Sequence, residues 1–378
     1  MSEGARPPRV LLHAFSTFKL GGPQARFVQL ANELGPGYRH LIVAMDNCFD
    51  AGERLHPAVQ WEPMRLDVVK GGALANRGAF RALLQRLKPD LLLSYNWGAI
   101  EWAAANLPRV VPHVHVEDGF GPEEANRQLP RRVWMRRVLL GWNGVSVVVA
   151  SRNLERMATG VWKLPSRRVT FIPNGVDIPP TARPFSAVAG RPVSIGTVAG
   201  LRPEKNIARL IRAFADVRAR RAARLIVVGD GPQRAELQAL AQQLGVAADV
   251  EFTGYLKDPS ARLVDFDLFA LSSDTEQLPI ALLEAMALGM PVVATRVGDV
   301  GDILSDVSPD NLCEPQDGPF AATLSRALEQ QSQWPAWARA GREKVQVSYA
   351  KALMITRWKQ VFDGQLHRSS AASKPLDP

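Results

Sequence analysis

Short apolar runs alternate with helical patterns along the chain, and the whole alternation occurs twice. In the first series RVLLHAF, HLIVAM, LLLSYN, PHVHVE and VSVVVA read as strands buried on both faces, because apolar residues follow one another with few polar alternates. ARFVQLANEL, GAFRALLQRL, AIEWAAANL and RQLPRRVWMRRVLLGW between them have helical spacing. A stretch dense in proline, glycine and small residues, FIPNGVDIPPTARPFSAVAGRP, then interrupts the pattern. The second series has VSIGTVAG, ARLIVVGDG, DVEFTGY, LFALSS and PVVAT as strands, with NIARLIRAFADVRAR, PQRAELQALAQQLG and PIALLEAMALG as helices. Strand–helix alternation predicts an α/β protein with parallel sheets covered by helices on both faces. Two series predict two Rossmann-like domains, with binding crevices outside the carboxyl ends of the strands and facing each other across a cleft. The expected boundaries are 1–178 for the first domain, 179–192 for a linker and 193–348 for the second domain. A helix over 349–366 is expected to cross back to the first domain, followed by a frayed polar tail over 367–378.

Length and charge narrow the partners. The chain has 378 residues, comfortable for two domains, and a net charge of +9. That charge admits nucleic acid, an anionic membrane or a phosphate-bearing small molecule. No zinc-finger spacing, aromatic RNA-binding strand or helix-turn-helix pattern occurs, so nucleic acid is not an expected partner. The two cysteines, Cys48 and Cys313, are far apart and match no metal spacing, which suggests a reducing compartment. The apolar run near the N-terminus is too short for a signal peptide, and no stretch approaches the length of a membrane span. A cytoplasmic protein is expected.

The segment TEQLPIALLEAMALGMPVVAT, Thr275 to Thr295, carries chemistry in an unexpected place. Pro279 suits a first helical position, Gly289 the residue after the helix end, and Pro291 blocks continuation. Apolar residues between them cover every side, so the helix is expected to be buried all round. Glu284 is its one charge. A buried carboxylate without a partner costs several kcal/mol, so Glu284 must meet a partner or open onto a polar cavity. Glu276 precedes the helix, at the carboxyl end of the strand LFALSS.

Glu276 and Glu284 match the E-x7-E pattern of retaining glycosyltransferases, and the segment around them resembles glycosyltransferase family 4. Other family landmarks stand in order: Gly21-Gly22, IPNGVD at Ile172 to Asp177, GLRPEKN at Gly200 to Asn206, VVGDGP at Val227 to Pro232, and EFTGY at Glu251 to Tyr255. Each string is weak alone; together they cover nearly the whole chain. The resemblance implies that Glu284 accepts hydrogen bonds from the ribose of a nucleoside-diphosphate-sugar donor, and that Glu276 contacts the transferred sugar. Gln277 departs from the family's glycine after the first glutamate, which puts backbone amide contacts there in doubt; Gln277 and Leu278 remain in the expected donor-binding set.

The same resemblance implies roles elsewhere. Arg202 and Lys205 would neutralise the leaving diphosphate, since fixed cations at a loop before a helix stabilise charge that develops in the transition state. They make a metal unnecessary, no Asp-x-Asp motif is present, and no cofactor is expected beyond the donor. Gly229 lies in a strand-to-helix turn of the donor pocket; Arg234 occupies the third glycine's place and spoils a dinucleotide fingerprint. The residues after Phe252, Thr253 and Gly254, Tyr255 among them, would contact the base, largely through backbone. Gly21 and Gly22 would let the backbone approach a diphosphate or sugar, with Lys19 as a further phosphate contact. Strand alternation puts His113, His115 and Glu117 on one face, with Asp118 at the strand end. His115 aligns best with a histidine that faces the donor sugar and acceptor in the family, with Asp118 next; a structural histidine is the competing reading. Asn96 lies at a neighbouring strand end, in the expected acceptor cleft. The segment RQLPRRVWMRRVLLGW places Arg127, Arg131, Arg132, Arg136 and Arg137 beside Trp134, Met135, Val138, Leu139 and Trp142. That is the composition of a helix lying on an anionic membrane, and equally of a surface helix packed on a sheet.

The expected activity is transfer of a sugar to an acceptor hydroxyl with retention, in polysaccharide or glycolipid synthesis on a carbohydrate or lipid-linked acceptor. A non-catalytic nucleotide-sugar or membrane-binding protein of the same fold is the alternative.

Overall fold

The computed structural model describes residues 7–68, 73–120, 122–124, 127–142, 144–182 and 190–372. The chain divides into two compact units, Met1–Pro173 with Met354–Pro378, and Asn174–Leu353. Residues 183–189 of the expected linker and residues 373–378 of the expected tail lie outside the described residues.

The first unit holds seven strands: β1 (Arg9–Phe15), β2 (Tyr38–Ala44), β3 (Gln60–Met64), β4 (Leu91–Tyr95), β5 (His113–Glu117), β6 (Ser146–Val149) and β7 (Val169–Phe171). All pair in parallel, in the order β3-β2-β1-β4-β5-β6-β7. The second unit holds β8 (Val193–Val198), β9 (Ala223–Val228), β10 (Val250–Gly254), β11 (Leu268–Leu271), β12 (Val292–Thr295) and β13 (Leu312–Cys313). Its order is β10-β9-β8-β11-β12-β13, again parallel throughout. Each sheet reverses its winding beside its first strand, between β1 and β4 and between β8 and β11. Loops leaving the carboxyl ends of those two strands splay apart, and the gap between them is where such sheets bind ligands.

Parallel strands must bury both faces, and they do. Leu11 and Phe15 of β1 point to one side, into a cluster with Phe27 and Val28 of the helix Gly22–Leu34. Leu12 and Ala14 point to the other, against Phe80 and Trp102. The first cluster also holds Met354, Ile355, Trp358 and Phe362 of the last helix. Their spacing of one, four and eight residues makes one helical stripe, so this helix packs back on the first sheet. It spans Lys351–Ala372, past the expected end at residue 366.

Candidate active site

The second unit assembles its polar residues from two loops at the β8/β11 switch point. After β8 the chain makes a short 3-10 turn, Pro203–Lys205, and Asn206 then adopts a left-handed conformation (φ 43°, ψ 51°) at the start of the helix Ile207–Arg218. Its side-chain oxygen accepts from the Arg209 amide at 3.1 Å and caps the helix. After β11 the loop Ser272–Leu278 carries Glu276. Lys205 Nζ lies 2.6 Å from Glu276 Oε1. The Ser273 hydroxyl donates to the same oxygen at 2.7 Å. The structure therefore brings together the expected phosphate cation and the expected sugar-contacting carboxylate. Arg202 lies on the exposed side of the turn and pairs with Glu204 at 3.0 Å.

A third loop buttresses Glu276. Gly298 sits at φ +53°, and a Cβ there would lie 2.2 Å from the Glu276 carbonyl oxygen. The Asp299 amide donates to the Gln277 carbonyl at 3.0 Å, and Leu278 is buried beside them. A glycine at this position lets the loop after β12 lie flat against the one after β11. Gly229 acts similarly: at φ +134° its missing Cβ would stand 1.9 Å from the Ala199 carbonyl oxygen. Its close approach is thus to the loop after β8. Asp230 beyond it pairs with Arg234 at 2.8 Å, and Tyr255 is 64% exposed at the end of β10.

Glu284 corrects one expectation. Its helix, Ile280–Ala287, is not buried all round: Ile280, Ala281, Glu284 and Leu288 form a half-exposed stripe, while Leu282, Leu283, Ala285 and Met286 are buried. Pro279 stands just before the first helical residue. The Glu284 carboxyl has neither a hydrogen bond nor an ion pair among the described residues. Burial, and then repulsion from Asp258 and Asp177, raises its pKa to about 7. A carboxylate in that setting is primed to accept hydrogen bonds from hydroxyls that replace lost water.

The β1/β4 switch point of the first unit is built differently. Gly21 precedes the helix Gly22–Leu34 in extended conformation, and a Cβ on it would lie 2.9 Å from the buried Gln24 side chain. Gly22 has open space around its Cα, and Lys19 is exposed. Asn96, at φ +55°, accepts from the Asp118 amide at 2.7 Å. Of the two residues expected to face the sugar, His115 is buried and Asp118 keeps its carboxylate oxygens out of solvent. The Asp118 carboxylate pairs with buried Arg26 at 2.7 Å, and burial raises its pKa. His115 is fully buried: Nδ1 lies 2.8 Å from the Ser94 hydroxyl, which also meets His113 Nε2 at 2.8 Å. His113, His115 and Glu117 do share one face, as alternation predicts, but Arg136 of the helix Pro130–Gly141 covers its Glu117 end, 3.4 Å away.

Arg136 of that helix does the covering, so it leaves the expected basic surface. It is fully buried, 3.0 Å from Glu124 and 3.4 Å from Glu117. The rings of Trp97, Phe120 and Trp162 surround it at 5.0, 5.3 and 4.9 Å. Two carboxylates and three ring faces replace the water a guanidinium loses. Arg132 turns to Glu123 and Glu124. Arg131, Trp134 and Arg137 stay exposed on the helix, as do Arg127 before it and Trp142 just after it, the two indoles being 63% and 75% exposed. Among the described residues no helix is long and apolar enough to cross a membrane, and no group of three His, Cys, Asp or Glu side chains is placed to hold a metal.

Known proteins match both units. The model described as "Glycosyltransferase Family 4" matches residues 20–178, and "Glycosyl transferases group 1" matches residues 180–344. EpsF of Bacillus subtilis, assigned as a glycosyltransferase, is 30% identical over 365 residues, covering 88% of this chain and 89% of its own. The chain belongs to the family 4, group 1 glycosyltransferases. The 2-deoxystreptamine glucosyltransferase of Streptomyces kanamyceticus is 34% identical over 181 residues, 46% of each chain. The N-acetyl-alpha-D-glucosaminyl L-malate synthase of Bacillus anthracis is 26% identical over 44% of each, so the chain spans less than half the length of these two relatives. Among solved structures, Anabaena HepE in complex with UDP superposes with a TM-score of 0.78 at 18% identity, covering 94% of this chain and 100% of that one. A glycosyltransferase from Rickettsia africae gives 0.77 at 14% identity, covering 95% and 99%. These place the fold among the two-domain GT-B glycosyltransferases.

Several residues of the site had not been singled out. Asn206 had a signal, since asparagine directly before an apolar-periodic run is a helix-start signature. Ser273, Asp274 and Gly298 had none, because their roles depend on loops that meet only in the folded sheet.

Proposed function

We propose that the protein is a retaining glycosyltransferase that moves a sugar from a nucleoside-diphosphate-sugar to an acceptor hydroxyl without a metal. The Lys205–Glu276 contact at the β8/β11 switch point carries this reading. Lys205, with Arg202 nearby in sequence, neutralises the leaving diphosphate as the anomeric bond breaks, where charge stabilisation counts most. Glu276, released from Lys205 by the incoming phosphate, accepts hydrogen bonds from the sugar hydroxyls and positions the anomeric carbon. Glu284 takes the ribose hydroxyls; ligand hydrogen bonds to its ionised form offset its raised pKa. Retention proceeds by attack on the face the diphosphate leaves. The complex of HepE with UDP makes UDP the first nucleotide to try. The second unit binds the donor, and the first, through the loops bearing Gly21, Gly22 and Asn96, the acceptor in polysaccharide or glycolipid assembly. His115 and Asp118 support those loops from beneath. The exposed indoles and arginines of the helix Pro130–Gly141 favour contact with an anionic membrane, checked by sedimentation with phosphatidylglycerol vesicles before and after replacing Trp134 and Trp142.

The test is donor consumption and product anomer, read by NMR for wild type and Glu276→Gln. Loss of turnover with an intact fold supports the reading. Unchanged turnover, or a product of inverted configuration, overturns it.

A further inference from the structure

Lys205 is a long side chain whose ammonium could swing widely, yet its contact with Glu276 joins two loops far apart in sequence. The bonds around that contact fix where it forms. The Asp274 amide donates to the Glu204 carbonyl at 2.9 Å. The Ser272 hydroxyl donates to the Lys205 carbonyl at 3.1 Å. Asn206 Nδ2 donates to both oxygens of Asp274, at 3.0 and 3.2 Å. Arg209, almost fully buried, reaches the Asp274 carboxylate at 2.8 Å and the Ser272 carbonyl at 2.9 Å. The Arg209 nitrogen on Asp274 also donates to the Pro315 carbonyl at 2.7 Å, and Nε donates to Asp317 at 3.1 Å, anchoring the assembly beyond the edge strand β13. Backbone or side chain of residues 204, 205 and 206 is thus tied to residues 272 and 274, on either side of the Lys205–Glu276 pair.

An ordinary helix cap would use only the Asn206 side-chain oxygen. Here the amide nitrogen is committed as well, to a carboxylate 68 residues away, and the left-handed backbone turns both atoms to their partners. Asparagine tolerates that backbone and offers an acceptor and a donor on one short side chain. We infer that Asn206, Asp274 and Arg209 form a positioning latch that sets the distance between Lys205 and Glu276. The inference rests on the reading that Lys205 and Glu276 face the diphosphate and the sugar. None of the three latch residues touches the reacting atoms; they act through the two that do.

Asn206→Asp tests it. The substitution keeps the capping oxygen and a residue type that tolerates the left-handed turn, but sets a second carboxylate against Asp274. A displaced Lys205 costs about ten- to hundredfold in kcat, because misplacing a reacting group by an ångström has effects of that size. The donor KM and the melting temperature change little. The double variant N206D/D274N restores a donor–acceptor pair with its polarity reversed, trades the Arg209 ion pair for a hydrogen bond to a neutral amide oxygen, and returns part of the lost kcat. A crystal structure of N206D shows Lys205 Nζ withdrawn from Glu276. Should N206D fail to fold, Asn206→Gly keeps the turn, removes both side-chain bonds and gives the same comparison. Lys205 still in place against Glu276 in N206D, or a loss that follows the melting temperature and is not restored by the swap, overturns the latch. The crystallographic distance judges the latch even if wild type transfers no sugar. A moved Lys205 with unchanged turnover instead overturns the functional reading.

Discussion

Both sheets reverse at the same point in their strand order, yet they fill those points in opposite ways. At β8/β11 the charged groups lie on loops and on a half-open helix face: Lys205 with Glu276, Arg202 with Glu204, and Glu284 alone on its helical stripe. At β1/β4 and on β5 the polar groups are inside: Asp118 with Arg26, Arg136 with Glu124 and Glu117, and His115 with Ser94. A buried network holds loops in place and resists change. A set of loop charges within reach of solvent can exchange partners for a ligand. The family resemblance sets His115 and Asp118 of the inner network beside the outer charges as substrate contacts; burial separates them.

Breaking the inner network should damage the fold. Arg136→Ala leaves buried Glu117 without a guanidinium partner and buried Glu124 with Arg132 alone, and should cost about 3–5 kcal/mol, read from denaturant midpoints. Glu276→Gln should leave the midpoint nearly unchanged and lower turnover by about a hundredfold, as removal of a transition-state contact does. If Arg136→Ala instead keeps its midpoint, the contrast between the two switch points is wrong.

Acid should separate the units next. Burial, and then His40, holds the His13 pKa well below 6.5; burial does the same for His113, and lowers His40 to about 4. Such imidazoles take up protons only on unfolding. The stability they contribute is complete above 6.5 and is lost as pH falls from there toward 4. His40 alone accounts for roughly 3 kcal/mol over that window. Glu284 runs the other way. Its folded pKa of about 7 exceeds the ordinary 4.5, so the second unit loses stability as pH rises between those values. Exchange protection measured between pH 7 and 4.5 should therefore weaken in the first sheet while the second holds or gains.

Much of the fold was legible from the Val- and Leu-rich runs, because a strand buried on both faces leaves an uninterrupted apolar word. β3 escaped: QWEPM is an edge strand, largely exposed, with proline inside it. β7 and β13 are too short to show a pattern. Glu276, Lys205 and Glu284 were legible because they sit in strings long enough to carry a resemblance. Arg136 was misread because a basic helix has the same composition whether its arginines meet water or buried carboxylates. The glutamates that decide between these, Glu117 and Glu124, come from other elements.

Smaller effects sharpen the contrast. Gly298→Ala must move the Glu276 carbonyl and force a side chain into positive φ, costing about 1–3 kcal/mol and, with it, most turnover. Arg202→Ala removes only an exposed ion pair, so thermal unfolding should register less than about 1 kcal/mol while the donor KM rises.

The central claim is that the β8/β11 switch point is a nucleoside-diphosphate site with Glu284 on the ribose. Calorimetric titration of wild type and Glu284→Ala with UDP, GDP, ADP and CMP tests it most directly. The account predicts that one diphosphate binds wild type and that the variant binds it at least about tenfold more weakly, the loss expected for a hydrogen bond to a charged group. Equal binding by wild type and variant, or no binding of any of the four, would contradict it.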